Sequence, residues 1–374
     1  MNKRLVYALW ITAMIVVVPG CADRLDMEDA TLALALGVDL NEENKLMMYS
    51  TSPAFSKRAK KKTLETIERA QTLRESRAKQ DAFSAGVFQG RNYQVLIVGK
   101  RLLQHEDWFP LLDVLFRDTK NSVSDRVVVY DGPVSEIIYL NPKDQPMMPI
   151  LLRGMVDTKS AQSETVKTTV QELHRQMYET GVTPAISEVK LQKKQAIKLN
   201  GTALLNHKGK YIVSLNATES ILLRILQNKA KKSVNLTISI PGEEKIGPFD
   251  TDKLSFTANN IKAKLATSYR QNKFHFEIKI NMHVGLTEHL FPYDVRYQGK
   301  ELEVKIAEQL EKQLEGLIKK IQAHEIDPIG LGLYARAHEN SQYKKVKDHW
   351  GESLAKADIH VSVKATIDSM GPVK

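Results

Sequence analysis

The chain has 374 residues, 42% of them hydrophobic and 26% charged, and its formal net charge is +10. One cysteine excludes internal disulfides as the source of stability, and the apolar content excludes a disordered chain, so packed cores must hold the fold. The basic excess suits an anionic membrane surface; no zinc-finger, RNA-binding or helix-turn-helix signature appears, so no nucleic acid is expected as a partner.

Residues 1–21 read MNKRLVYALWITAMIVVVPGC. Lys3 and Arg4 form a positive head, Leu5 to Val18 is apolar without a charge, and Pro19 and Gly20 precede Cys21. The apolar run is short of the roughly 20 residues that a bilayer span needs, and it has the anatomy of a secretory signal. A small residue and then Cys, directly after such a run, resembles the lipobox of bacterial lipoproteins. Cys21 is therefore expected to carry a thioether-linked diacylglycerol as the first mature residue. A signal cut elsewhere and an uncleaved anchor are the rival readings. Removing residues 1–20 leaves 354 residues and a charge of +8, enough for two or three domains.

Residues 22–30 are a polar spacer. Thr31 to Asp39 and Leu46 to Ser52 read as antiparallel strands around a turn at 41–44, with Pro53 as the stop. Lys57 to Lys62, KRAKKK, reads as a solvated loop or as a headgroup or partner contact. Thr63 to Lys79 has helical composition without a clean apolar stripe. Val95–Val98 is a short strand. The apolar residues from Trp108 to Phe116 recur at helical spacing, and Arg126–Tyr130 is a strand closed by Asp131-Gly132-Pro133. The alternation suggests an α/β unit. Three prolines within 141–149 make a rigid crossing. Val166, Val170, Leu173 and Met177 predict an amphipathic helix over 163–180, stopped by Gly181 and Pro184.

Ala196–Leu205 and Tyr211–Leu215 form a hairpin, and Asn216 or Thr218 caps a helix carrying Ile221, Leu222, Ile225 and Leu226. Pairing of this hairpin with 32–52 is left open. From Ser233 the period becomes two: 234–240, Phe274–Val284 and Ala357–Met370 each place apolar residues on one face, as half-buried antiparallel strands do. Between the last two lies the strongest helix, 299–324, with Leu302, Ile306, Leu310, Leu314, Leu317 and Ile321 in one stripe. The stripe is one helix face wide and should lie across the sheet. The fold class is α+β and multi-domain, with mixed and antiparallel sheets and packed amphipathic helices. The expected divisions are a signal peptide over 1–20, a tether and first strands over 21–52, an α/β domain over 53–185, a hairpin and helix over 186–229 that shares a sheet with 21–52 in one arrangement, and a C-terminal α+β domain over 230–374.

Chemistry leaves few marks. His275 and His283 stand eight residues apart on one strand, about 26 Å by strand rise, and cannot share a metal within it. Zinc at His283, Glu288 and His289 is a weaker reading than scattered surface histidines. No H-E-x-x-H, G-x-S-x-G, P-loop or dinucleotide fingerprint occurs, and Ser124 and Ser214 have no recognisable partner set. Gly330-Leu331-Gly332 suits a close backbone crossing better than a phosphate site. No catalytic, cofactor or metal residue is assigned, and no cofactor is expected; the one assigned site is lipid attachment at Cys21. The residues favour a complex subunit over a ligand-binding lipoprotein, and that over an enzyme.

Several short motifs add a resemblance over the whole mature chain. Cys21-Ala22-Asp23-Arg24 and Leu36-Gly37-Val38-Asp39 resemble the early motifs of the Ger(x)C lipoproteins, the C subunits of nutrient germinant receptors of spore-forming Bacillus and relatives. Gly90 with Val95–Gly99, Phe116-Arg117-Asp118, and above all Asp327-Pro328-Ile329-Gly330-Leu331-Gly332 with Trp350 resemble the later ones. Within the family the likeness is greatest to the GerB type. Ala22 stands where Trp is usual, Arg91 and Asn92 where His is usual, and Leu331 where Phe is usual. The resemblance implies an elongated body of about three domains and no enzymatic activity. It implies integral membrane A and B subunits as partners and residence on the outer surface of the spore inner membrane. It assigns no small-molecule ligand. A solute-binding lipoprotein is the alternative, and a cell-envelope hydrolase is less favoured.

Overall fold

A computed structural model describes residues 3, 30–54, 60–83, 86–89, 92–118, 121–142, 144–193, 196–243, 248, 251–291 and 295–370. Cys21, the tether and the first part of the basic run, 57–59, lie outside the described residues.

The chain begins with β1 (Ala30–Leu32), β2 (Ala35–Leu40), β3 (Leu46–Pro53) and β4 (Thr63–Arg69), followed by α1 (Leu73–Asp81) and β5 (Val87–Gln89). The helix expected over 63–79 is thus a strand and then a helix. The early part pairs with β3 in antiparallel register, Ile67 opposite Tyr49, and Thr72 caps the helix by accepting the Glu75 N–H. Cross-strand pairing overrides helical composition there. Next come β6 (Val95–Gly99), two 3₁₀ turns, α2 (Asp113–Arg117), β7 (Arg126–Tyr130), α3 (Val134–Ile138), α4 (Met148–Ala161) and α5 (Val170–Tyr178). The proline-rich crossing ends at Met147, and Pro149 opens α4 in the first turn, where a missing N–H costs nothing.

The helix expected over 163–180 spans only α5. Thr165 and Thr168 donate their hydroxyls to the Gly201 and Ala185 carbonyls, and Thr169 caps α5 by accepting the Glu172 N–H. Side-chain bonding of this kind competes with helix and delays its start.

Then follow β8 (Ala185–Gln192), β9 (Ala196–Leu205), β10 (Tyr211–Leu215) and α6 (Ala217–Leu226). Asn216 and Glu219 form a full capping box at the start of α6. One eight-stranded sheet runs β10-β9-β8-β7-β6-β2-β3-β4. Its centre, β8-β7-β6-β2, is parallel and its flanks are antiparallel. The hairpin β9–β10 therefore shares a sheet with β2 and β3 without touching them, because β8, β7 and β6 intervene. One face packs under α1, α2 and α5 and the other under α3 and α4.

The C-terminal part contains β11 (Ser233–Ser239), β12 (Lys253–Arg270), β13 (Lys273–His289), α7 (Val295–Ala323), α8 (Leu331–His338), α9 (Asn340–Val346), α10 (Trp350–Ala355) and β14 (Asp358–Ser369). The sheet order is β11-β12-β13-β14, antiparallel except for the parallel β13–β14 pair. Gln271 and Asn272, with φ of 50° and 61°, make the tight hairpin between β12 and β13. All six stripe residues of α7 are buried against this sheet. The same core continues through α6, by Ile221, Leu222 and Ile225, to Leu204 and Leu215 of the eight-stranded sheet.

Candidate functional site at the junction of the two sheets

The chain leaves α7 through Ile326 and Asp327 and turns at Gly330, whose φ of 88° is left-handed, into α8. Asp327 is fully buried. Its Oδ1 accepts the N–H groups of Gly330 at 2.7 Å and Leu331 at 3.1 Å. Its Oδ2 accepts those of Gly332 at 2.8 Å and the Trp350 indole at 2.8 Å. Burial pushes the Asp327 carboxyl up, while the Gly332, Trp350, Leu331 and Gly330 donors work against that push. The carboxylate thus occupies the start of α8, where exposed N–H groups favour an anion. The glycine pair holds the chain's own anion, so those N–H groups are not open to a phosphate.

Asp327 also reaches across to the segment between α5 and β8. Thr183 N–H donates to its carbonyl at 2.8 Å, and its own N–H donates to Thr183 Oγ1 at 3.0 Å. Gly332 and Gly181 cross there without side chains. A Cβ on Gly332 would lie 2.7 Å from Gly181 Cα, and one on Gly181 would lie 2.9 Å from Gly332 C. Around the crossing, the Arg336 guanidinium donates to both oxygens of Glu179 at 2.8 and 3.1 Å. Against burial, Arg336 and the Gly181 N–H hold the Glu179 carboxyl below the usual range. The hydroxyls of Thr180 and Tyr343 are 2.9 Å apart, and Gln227 Nε2 donates to the Pro328 carbonyl at 2.7 Å. Trp350 stacks edge-on to Phe274 of β13 at 5.2 Å, so the junction is tied to the C-terminal core.

Two family models match the chain in sequence order: "Spore germination protein N-terminal domain" over residues 23–191 and "Spore germination B3/ GerAC like, C-terminal" over 200–371. The chain belongs to the Ger(x)C family. It is the family of germinant receptor C subunits. Spore germination protein YndF of Bacillus subtilis (strain 168) is 23% identical over 290 residues, covering 75% of this chain and 68% of that protein. Spore germination protein KC of the same organism is 20% identical over 407 residues, covering 98% and 95%. The crystal structure of the GerBC protein superposes with a TM-score of 0.59 at 17% identity, over 91% of this chain and 99% of that one, and shares the fold. The Asp327 motif that carried the resemblance lies in the second matched half and bonds to Thr183 of the first, adding to the β8–β9 pairing that also crosses between the halves of this Ger(x)C chain.

A second cluster lies at the carboxyl ends of the parallel strands. Asp39, at the end of β2, accepts the Leu40 N–H at 2.8 Å and the Val134 N–H at 3.1 Å. A Cβ on Gly99 would fall 2.0 Å from that carboxyl group, which explains a glycine at the end of β6. Beside it is a hollow of about 240 Å³ lined by Lys100, Arg101, Gln104 and Pro133. Lys100 meets Asp131 at 2.9 Å and buried Glu188 at 3.5 Å, and lies over the Tyr211 ring. Burial pulls the Lys100 ammonium down, but Asp131, Tyr211 and Glu188 more than offset it and the net direction is up. Ligands of open α/β sheets bind outside such strand ends; here the chain's own ion pairs fill much of the space.

The other residues singled out in the sequence do not converge. Ser214 donates to Glu188, and Ser124 bonds to Ser122 at 3.0 Å. His275 and His283 each face a different aspartate of β14, Asp358 at 3.4 Å and Asp368 at 3.0 Å. His289 Nδ1 lies 2.9 Å from the Phe291 carbonyl. Among the described residues no group of three or more His, Cys, Asp or Glu could hold a metal ion. Among the same residues no helix is long and apolar enough to cross a membrane. Sequence reasoning did not connect Glu179 with Arg336 or Asp327 with Trp350. The visible signal was an Asp three and five residues ahead of two glycines, the pattern of a carboxylate capping a helix start.

Proposed function

We propose that this chain is a non-enzymatic, lipid-anchored subunit of a germinant receptor on the outer surface of the spore inner membrane. It is docked to integral membrane A and B subunits and required for the response to nutrients. The reading is carried by one observation: the two family models cover the body from residue 23 to 371, directly behind the lipobox at Cys21. Two acyl chains on Cys21 give stable anchoring where one would be marginal. Confinement to the membrane raises the local concentration near membrane partners, so modest interfaces stay occupied. Cys21→Ala is expected to abolish acyl labelling and weaken the response to nutrient, and normal labelling of that variant would overturn the site. Detergent extraction of the native protein should bring polytopic partners with it; recovery of a solitary, membrane-bound subunit would overturn docking while leaving the anchor standing.

A further inference from the structure

Between α5, the end of α6 and the 328–333 turn lies a polar hollow of about 380 Å³, within the roughly 300–1,000 Å³ range of small-molecule sites. Its wall carries Lys167, Arg175, Arg224 and Lys229 against a single carboxylate, Glu172. That carboxylate is already taken, since Arg175 grips both its oxygens at 2.9 and 2.7 Å. Lys167 lies 3.4 Å from Asp157. Arg224 donates only to neutral oxygens, Gln227 Oε1 at 2.7 Å and the Lys229 carbonyl at 3.1 Å. Lys229, at the exposed rim, makes no ion pair among the described residues.

Positive charge is therefore in excess in the hollow: Glu172 is the one carboxylate in its lining that faces Arg224 and Lys229, and Arg175 already holds both its oxygens. Burial pulls the Arg224 guanidinium below its usual range, and burial with the neighbouring Arg224 and Arg175 does the same to Lys229; Glu172 opposes both shifts without cancelling them. Holding this excess of cations together is costly, and a bound anion relieves it. The other wall is apolar, formed by Val166, Val182, Ile329 and Leu333. An arginine fork and an ammonium suit a carboxylate head, and the apolar wall suits a short hydrocarbon body.

We propose that this hollow binds a small organic carboxylate, with its head group between Arg224 and Lys229 and its aliphatic body against Val182 and Leu333. The ligand seats on the same turn that Asp327 fixes, so occupancy stiffens the junction of the two sheets. The site is independent of the lipid on Cys21 and of docking.

The test uses full-length protein in detergent micelles, titrated with sodium acetate, butanoate, hexanoate, phosphate or chloride at matched ionic strength, by calorimetry and thermal melting. Butanoate or hexanoate is expected to bind saturably, at least tenfold tighter than phosphate or chloride, and to raise the melting temperature. Arg224→Gln and Lys229→Gln should each weaken binding tenfold or more, while Lys347→Gln, outside the hollow, leaves it unchanged. Lys229 is at the rim, so K229Q retains the fold even where R224Q does not. Absence of saturable carboxylate binding, wild-type affinity in K229Q, or phosphate binding as tight as that of hexanoate each overturns the proposal.

Discussion

Asp39, Asp125 and Asp327 are all buried, yet they differ in what surrounds their charge. Asp39 and Asp327 take backbone N–H donors on both oxygens. Asp125, just ahead of β7, has no partner for Oδ1 among the described residues. Burial pushes its carboxyl up to about 6, with only partial relief from Ser122, its own N–H and the nearby arginines. In the unfolded chain such a group titrates near 3.9. Below about pH 4 both states are protonated; between about 4 and 6 the unfolded chain ionises first and gains by it. Stability is therefore expected to fall as pH rises through that window, by about 2–3 kcal/mol from this group. Asp125→Asn removes the titration, so urea midpoints at pH 4 and pH 7 should show the variant gaining on the wild type only at pH 7. An identical pH dependence in both would reject this account. Little of this was legible beforehand. Asp327 stood out by its spacing to Gly330 and Gly332, but Thr183 lies 144 residues away and Trp350 lies 23 away, and no local periodicity links them.

Elements were most legible where one face is buried and the other wet. The period of two in β13 and β14 and the stripe of α7 are set by burial alone, and the structure buries those faces. The stretches at 63–69 and 163–169 were misread because partners outside the stretch decide them: β3 for the first, and the carbonyls of Gly201 and Ala185 for the second. The long strand β12 went unread, since its second half alternates partly buried with exposed positions and carries little apolar contrast. α7 also does something its stripe did not announce. Among the described residues β14 has a strand on one side only, and on its other edge Val363 N–H donates to Glu311 at 2.7 Å and Ile367 N–H to Glu303 at 2.9 Å. Open edge groups invite pairing with another chain, and charge placed over them blocks it. Replacing both Glu303 and Glu311 by Ala is expected to leave the far-UV circular dichroism unchanged while light scattering at high concentration shows self-association. A double variant as monodisperse as the wild type would show that the edge needs no such guard.

At the scale of the whole molecule, chain length and the change of period at Ser233 suggested separable units, whereas a single sheet runs through 35–215 and a shared core leads from it into the C-terminal sheet. Order of strands along a sheet is a long-range property, so β6, β7 and β8 standing between the two hairpins could not be read from the residues. The junction around Asp327 supplies much of the directional part of the union: four donors on one carboxylate, a reciprocal pair with Thr183, the Gly181–Gly332 crossing and the Glu179–Arg336 pair. If these contacts couple the two parts, the parts unfold together. Asp327→Ala leaves four N–H groups without their acceptor and is expected to cost on the order of 3 kcal/mol or more. Gly332→Ala places a Cβ against the Gly181 backbone and the Trp350 indole, neither of which can yield without opening the crossing. Hydrogen–deuterium exchange in increasing urea separates coupling from simple loss of stability. In the wild type, peptides from β6–β8 and from β12–β13 should lose protection at one urea concentration. In D327A and G332A the two sets should part, because what remains is the apolar core, which is non-directional, and the partly exposed Lys320 contacts to Ser214 and Glu219. Coincident loss in both variants, merely shifted to lower urea, would assign the coupling to the core through α6 instead.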